Sequence, residues 1–462
     1  MAIFSIVKLS ELEGAKRLDA EYYKPEYLEI IDILTIKKAK PLIKLATDVI
    51  CGPFGSSILE RDYRPEGVPL IRVSDTADLF IKDDDLVFID DSLSEKMKRY
   101  QVFPGDLVVS QRGTIAMFSL VTRKFSKWNI SANLISIKKS NKINFNYLLI
   151  FLNSFYGASQ LFRKQSGEVQ PKITTDDVKQ LLVFVANSDI QEKVSDLVEL
   201  AYKEKEISYS LYSQAESLLL EELGLKDFKP KYEKTYTAKL SDAFSAHRID
   251  AEYFQPAYEE IIEKLRENNI ELQPLRKFIL SIQKGIEPGS ENYRDEGKPF
   301  IRVSNLSKYG FTDRDQKYLS EELYQQLRET YEPKQGDFLL TKDATPGIAY
   351  VVKEQIEGII SSGILRLQIN DNEINKEYLA LCINSIVGKM QVERDCGGSV
   401  ILHWKPEQVK RLQIPILPLS IQQEIASLVQ QSHEARRKAK ELLELAKRAV
   451  EIAIEEGEEK AI

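Results

Sequence analysis

Cysteine is scarce in this 462-residue chain: only Cys51, Cys382 and Cys396 occur. They form no C-x-x-C pair, and an odd count argues against a disulfide framework. A reducing, cytoplasmic setting is expected. Histidine is as rare, with His247, His403 and His433 alone. None shows H-x-x-x-H spacing, so no metal site is expected. Long apolar runs are missing too, and none nears the ~18 to 20 residues of a membrane span. The opening Met1-Ala-Ile-Phe-Ser lacks the charged and apolar regions of an export signal. Catalytic signatures are equally absent. Gly388-Lys389 lacks the upstream glycine and the Ser or Thr of a phosphate loop, and no G-x-G-x-x-G follows a strand. No Asn-Pro-Pro-Tyr-type segment exists to grip a flipped base. Asp83-Asp84-Asp85 has no partner lysine recurring in both halves and reads as a solvated turn.

What is present is charge in an uneven distribution. The net charge of −7 argues by itself against nucleic acid. Yet eleven Lys or Arg and two acids lie between Arg99 and Lys172, a local excess of +9. That stretch is a candidate phosphate-facing surface. From Thr330 to His403, seven basic residues stand against ten acidic ones.

The chain is also written twice. Arg17-Leu-Asp-Ala-Glu-Tyr-Tyr-Lys-Pro25 recurs as Arg248-Ile-Asp-Ala-Glu-Tyr-Phe-Gln-Pro256. Pro69-Leu-Ile-Arg-Val-Ser-Asp75 recurs as Pro299-Phe-Ile-Arg-Val-Ser-Asn305, and Gly105-Asp-Leu-Val-Val-Ser110 as Gly336-Asp-Phe-Leu-Leu-Thr341. The offset is 231, slipping to 230 around the Arg-Val-Ser motif. So long a period means two duplicated domains, not a solenoid.

Each copy opens with a mixed segment whose short β-type runs, such as Leu70–Val73, Leu107–Ser110, Leu134–Ile137 and Leu181–Val185, are punctuated by Gly and Pro. A helical pattern interrupts it at Asn146–Phe155. A long helix follows, beginning after the N-cap segment Asn187-Ser188-Asp189 and running to about Leu223, before Gly224, in copy one. In copy two it is expected from a Ser420 cap to Glu456, before Gly457. At about 35 residues each helix spans roughly 50 Å. A 3.5-residue seam runs through Ile190, Val194, Leu197, Ala201, Glu204, Ser208, Leu211, Ala215 and Leu218. In copy two it runs through Ile421, Ile425, Leu428, Ser432, Ala435, Ala439, Leu442, Ala446, Ala449 and Ala453. The expected fold is α+β: two tandem pseudo-two-fold related domains, each followed by a long α-helix, the helices packing as an antiparallel coiled coil. The expected domains are 1–187, a central helix and linker at 188–230, 231–418, and a terminal helix at 419–462.

Small, polar and basic residues beside the β runs are the candidate DNA contacts. Arg72 and Arg302 share the Ile-Arg-Val-Ser position; a guanidinium there reads guanine, clamps phosphate or makes a structural ion pair. Ser56 and Ser57 lie in a Gly-rich loop, and Lys284 in its counterpart; glycine lets backbone approach a ligand closely. Gln111-Arg112 in copy one faces Lys342-Asp343 in copy two, a loop that differs where its flanks do not. Gln170 and Lys172 align with Ile401 and His403 in a second Gly-bearing loop ahead of a helix.

These residues resemble the specificity subunit of type I restriction–modification enzymes over essentially the whole chain. The resemblance rests on the two Gly-Asp-[hydrophobic]₃-[Ser/Thr] strands, the paired Ile-Arg-Val-Ser motifs, the Gly-x-x-Gln-Pro-x-Ile type loop from Gly167 to Ile173, and the entry to the long helix at Leu417–Ile425. Copy one lacks the usual proline at Val185–Gln191, and copy two has Ile401-Leu402 in place of Gln-Pro. The resemblance implies a non-catalytic, cytoplasmic restriction-system protein whose two target recognition domains each read half of a split double-stranded DNA site, with helices setting the spacer. It implies two methyltransferase subunits and a restriction/translocase subunit as partners, which would carry S-adenosylmethionine, ATP and Mg²⁺ chemistry. The competing readings are a stand-alone nuclease or degenerate methyltransferase, betrayed by turnover of the chain alone, and a coiled-coil scaffold that never binds DNA.

Overall fold

The structure is a computed structural model that describes residues 5–10, 12, 17–76, 78–82, 86–112, 117–165, 172–313, 315–396 and 402–461. Gln170, Ile401, Asp83–Asp85 and most of the Gly167–Ile173 loop lie outside the described residues. The chain forms two compact units of mixed α and β structure: residues 1–204 with 438–462, and residues 205–437.

The core of the first unit is a four-stranded antiparallel sheet in the order Val49–Cys51, Leu134–Ile137, Leu107–Ser110, Phe118–Leu120. The two inner strands are wholly buried, as their unbroken apolar runs require. The second unit repeats the order with Ile279–Lys284, Ile364–Ile369, Phe338–Thr341 and Ala349–Val351. Beside each lies a mixed sheet, of four strands in the first unit and three in the second, in which Val68–Ile71 runs parallel to Trp128–Ile130, and Lys298–Ile301 parallel to Ile359–Ile360. Expected and observed strands coincide at Leu107–Ser110 and Leu134–Ile137. The run read as Leu70–Val73 instead spans Val68–Ile71, because the Asp75 carboxylate takes the Arg72 amide (2.7 Å) and Val73–Thr76 curls into a 3-10 turn. The run read as Leu181–Val185 shrinks to Leu182–Val183, paired with Lys40–Pro41, where proline has no N–H to extend the ladder.

The repeat is legible in hydrogen bonds as well as letters. Asn144 caps the helix Phe145–Asn153 and Asn375 caps Lys376–Asn384, each side chain accepting from two backbone amides. Tyr147 donates to the Phe184 carbonyl (2.8 Å), and Tyr378 to the Pro415 carbonyl (2.7 Å).

The long helices span Ser188–Glu222 and Leu419–Glu455. Asn187, not Ser188 or Asp189, accepts from the Ile190 amide. The second helix begins at Leu419, which places Ser420 inside its first turn rather than at its cap. In the first unit, the beginning of the first helix and the end of the second share one core, from Ile190 to Ala201 and from Ala439 to Ile454. In the second unit, Tyr212 to Leu223 share a core with Ile425 and Val429. Part of the expected seam moves by one residue: Val198, Lys205, Tyr212 and Leu219 are buried rather than Leu197, Glu204, Leu211 and Leu218, and Val429, Leu443 and Val450 rather than Leu428, Leu442 and Ala449. In each unit these helix segments also pack against the sheet module of that unit, so the buried stripe is wider than a two-helix seam.

Candidate nucleic-acid interface

Five segments of chain meet at one rim of each four-stranded sheet. In the first unit, Gly52 follows the edge strand, and a Cβ there would stand 2.3 Å from the Ser131 carbonyl oxygen. Glycine is therefore what lets this turn lie against the neighbouring loop. Ser131 in turn donates to the Ile71 carbonyl (2.9 Å), bringing in the Arg72 turn. The Gln111 amide donates to the Asn133 carbonyl (2.7 Å), and the Ile173 amide to the Gln111 carbonyl (3.1 Å). This ladder ends in an antiparallel bridge between Arg112 and Lys172, both exposed.

The second unit builds the same rim 230 to 233 residues on. A Cβ at Gly285 would stand 2.2 Å from the Ser361 carbonyl oxygen, and Ser361 donates to the Ile301 carbonyl (2.8 Å). The Lys342 amide donates to the Gly363 carbonyl (2.8 Å), the Trp404 amide to the Lys342 carbonyl (2.8 Å), and Asp343 bridges His403. The backbone is repeated and the side chains are not. Two cations stand on the first rim. On the second, Asp343 lies between His403, whose Nδ1 is 2.8 Å from Oδ1, and the Lys342 ammonium. Burial opposes the charge on Asp343, but Lys342 and His403 outweigh it and hold the carboxyl below its usual range.

The rim thus assembles Gln111, Arg112 and Lys172 in one unit, and Lys342, Asp343 and His403 in the other. Ser56 is exposed and Ser57 half-buried, on the turn Gly55–Ser57 leading away from Gly52. Lys284 is exposed, at the end of its strand just before Gly285. Arg72 and Arg302 sit at the rim with their guanidinium groups engaged. Arg72 is held by the buried Asp75 at 3.2 Å, and Arg302 by the Asp315 carboxylate at 3.0 Å. The difference follows from Asn305, which stands where Asp75 does: it still accepts from the arginine amide (3.1 Å) but offers no charge. The basic stretch is not a bare positive face. Arg123 pairs with Glu199, Lys127 with Asp91 and Glu95, Lys138 with Asp106, and Lys164 with Asp177. All of these acids except Asp106 come from outside the stretch, which a count along the sequence does not see.

Two features of the rim were not singled out from sequence. Phe54 is 86% exposed on the Gly52–Ser57 turn, an aromatic face presented to solvent. Arg17 and Arg248, seen only as repeat markers, support the rim from behind. Arg17 donates to the carbonyls of Lys164 (3.0 Å) and Gln165 (3.1 Å), and Arg248 to that of Asp395 (3.1 Å). They hold the helix ends from which the chain leaves towards Lys172 and His403. Tyr22 lies between Arg17 and Arg163, and Tyr253 between Arg248 and Arg394. The near-verbatim Arg-[Leu/Ile]-Asp-Ala-Glu-Tyr string was the available signal.

Among the described residues no cluster of three His, Cys, Asp or Glu side chains is placed to hold a metal. No helix there is long and apolar enough to cross a membrane. The two sheet modules present loops of one backbone plan with two different sets of side chains. Residues 278–445 match the family model described as "Type I restriction modification DNA specificity domain". Among solved structures the chain is similar to the S subunit of a type I restriction-modification system from M. genitalium, at 12% identity over 92% of this chain and 95% of that chain, TM-score 0.38. It is similar also to the HsdS subunit from Thermoanaerobacter tengcongensis, at 14% identity over 90% of this chain and 96% of that chain, TM-score 0.29. No curated protein matches the chain.

Proposed function

We propose that this chain is the non-catalytic DNA sequence-recognition subunit of a type I restriction–modification complex, in the cytoplasm. Recognition domains at 1–187 and 231–418 each read one half of a bipartite duplex target. The helical segments at 188–230 and 419–462 form an antiparallel coiled coil that relates the two domains by a pseudo-two-fold axis, sets the spacer and docks two methyltransferase subunits. A restriction/translocase subunit joins for cleavage, and S-adenosylmethionine, ATP and Mg²⁺ belong to those partners. The observation that carries this reading is the pair of equivalent rim bridges, Arg112 with Lys172 and Asp343 with His403, set in matching backbone hydrogen bonds. A common scaffold with different side chains is what reading two different half-sites requires, since base edges are distinguished by donor and acceptor pattern.

In this reading Gln111, Arg112, Lys172, Lys342, Asp343 and His403 face base edges. Ser56, Ser57, Gln170 and Lys284 face phosphate or sugar, and Arg72 and Arg302 position the rim. The test is methylome sequencing of a host that expresses the chain with its methyltransferase partner. A methylated bipartite motif with an unread spacer is expected. A single continuous motif, or none, refutes the proposal.

A further inference from the structure

We infer that the first unit binds a small phosphate ester of mononucleotide size, at a site separate from the rim and independent of the DNA-recognition reading. A cavity of about 470 Å³ opens between the hairpin around Gly105 and Thr122, the turn Lys139–Asn146 and the face Ser195–Tyr202 of the first long helix. That is the size range of small-ligand sites. Thr122 lines it at 4% exposure, and its hydroxyl has no partner. A buried hydroxyl left unpaired is costly, so this one points to a missing acceptor or donor.

The charge at the cavity favours an anion. Arg123 and Lys139 both line it, against one carboxylate, Glu199. Glu199 is already satisfied by Arg123 (3.1 Å) and by the Asn146 amide (3.1 Å). The Lys139 amine lies over Gly105, with Nζ 3.2 Å from where a Cβ would stand, and among the described residues it has no acid partner. Phosphate alone would leave most of the volume empty. Tyr202, Leu120 and Phe80 supply an apolar and aromatic wall for a ring.

The second unit is an internal control. Shifted by 231, Thr122 becomes Lys353 and Asn146 becomes Glu377, and the Lys353 ammonium pairs with Glu377. The second copy therefore ties these two wall positions together with its own side chains. It also removes the cations: Glu354 stands for Arg123, and in the register of the sheet Ile369 stands for Lys139. One copy carries an internal plug where the other leaves a cavity lined by cations.

Calorimetric titration of the full chain with adenosine monophosphate, inorganic phosphate and adenosine tests this. The nucleotide is expected to bind about tenfold more tightly than either fragment. Lys139→Ala, at an exposed site, should weaken it several-fold. The triple variant Thr122→Lys, Asn146→Glu, Glu199→Gln carries the second unit's residues and should lose binding without loss of the folded circular dichroism spectrum. A DNA hairpin that competes the nucleotide away would make a strand phosphate the source of the ester, and failure to compete would make it a free nucleotide. No nucleotide binding, or binding unchanged in Lys139→Ala, overturns the inference even if the triple variant does not fold.

Discussion

At the residue scale, function depends on which side chains the rim backbone brings together. Gln111 and Arg112 were legible because the loop after Gly105–Ser110 differs between copies while its flanks agree. That Lys172 bridges Arg112, 60 residues along the chain, was not legible, because only the folded sheet closes that distance. If the rims read DNA, Arg112→Ala should relax one half-site only, and His403→Ala or Lys342→Ala only the other. Each good base contact gives about 1 to 3 kcal/mol of discrimination. Methylome motifs of the variants check this, and loss at both half-sites from one substitution would contradict it. A second residue carries a pH dependence. His433 sits against Tyr350 (ring centroids 5.5 Å apart), and burial, then Lys353 and Arg436, push its pKa down to about 3. An unfolded histidine titrates near ~6.5. Folded His433 stays neutral where the unfolded chain takes up a proton. Its contribution is therefore full above about pH 6.5 and is lost towards pH 3, by at most about 1.4 kcal/mol per unit. His433→Tyr, the residue at the equivalent Tyr202 of the first copy, should flatten the fall in melting temperature between pH 7 and pH 5. An unchanged slope would show that His433 is not responsible.

At the element scale, the length of the long helices and three of their four ends followed from Asn187, Gly224 and Gly457, with φ of +66 at Gly224 and +103 at Gly457 as stop residues allow, whereas the Ser420 cap did not hold. The exact seam did not follow, because a 3.5-residue template assumes one partner helix, whereas each helix also buries residues in the sheet-module cores, Tyr212 and Leu219 in the second unit and Leu443 and Val450 in the first. The polar residues mid-seam find partners that no single-helix pattern could name. Glu204 pairs with Lys438, and Ser208 meets Ser432 at 3.1 Å, with Ser432 also donating to the Ser208 carbonyl (2.7 Å). Both serines are fully buried. Removing one hydroxyl strands the other, at a cost of about 1 to 3 kcal/mol, whereas removing both costs little. Ser432→Ala should therefore destabilise the chain more than the Ser208→Ala/Ser432→Ala double variant, measured by urea unfolding. Additive losses would mean the two hydroxyls act independently. Such a pair suits the fixing of helix register better than the supply of stability.

At the scale of the whole molecule, duplication is the organising fact, and the proposed ruler is its consequence. Removing seven residues from each long helix at matched positions keeps the heptad phase and shortens the pair by about 10 Å. That corresponds to about three base pairs at the duplex rise. The bases read should stay, and the unread spacer should contract, in the methylome of the shortened chain. An active variant with its original spacer would refute the ruler.

The sequence by itself determined the duplication, the mixed α and β class, the two long helices and the diverged loops, since these rest on local identity, periodicity and turn chemistry. Only the tertiary structure decided which candidates share a rim, that Arg72 and Arg302 are engaged by acids, and that much of the basic stretch is neutralised by Asp91, Glu95, Asp177 and Glu199. The reason is physical. Helix and strand formation is settled by neighbours a few residues away, whereas an ion pair or a close backbone approach is settled by whichever groups the fold brings within a few ångströms, however far apart they lie along the chain.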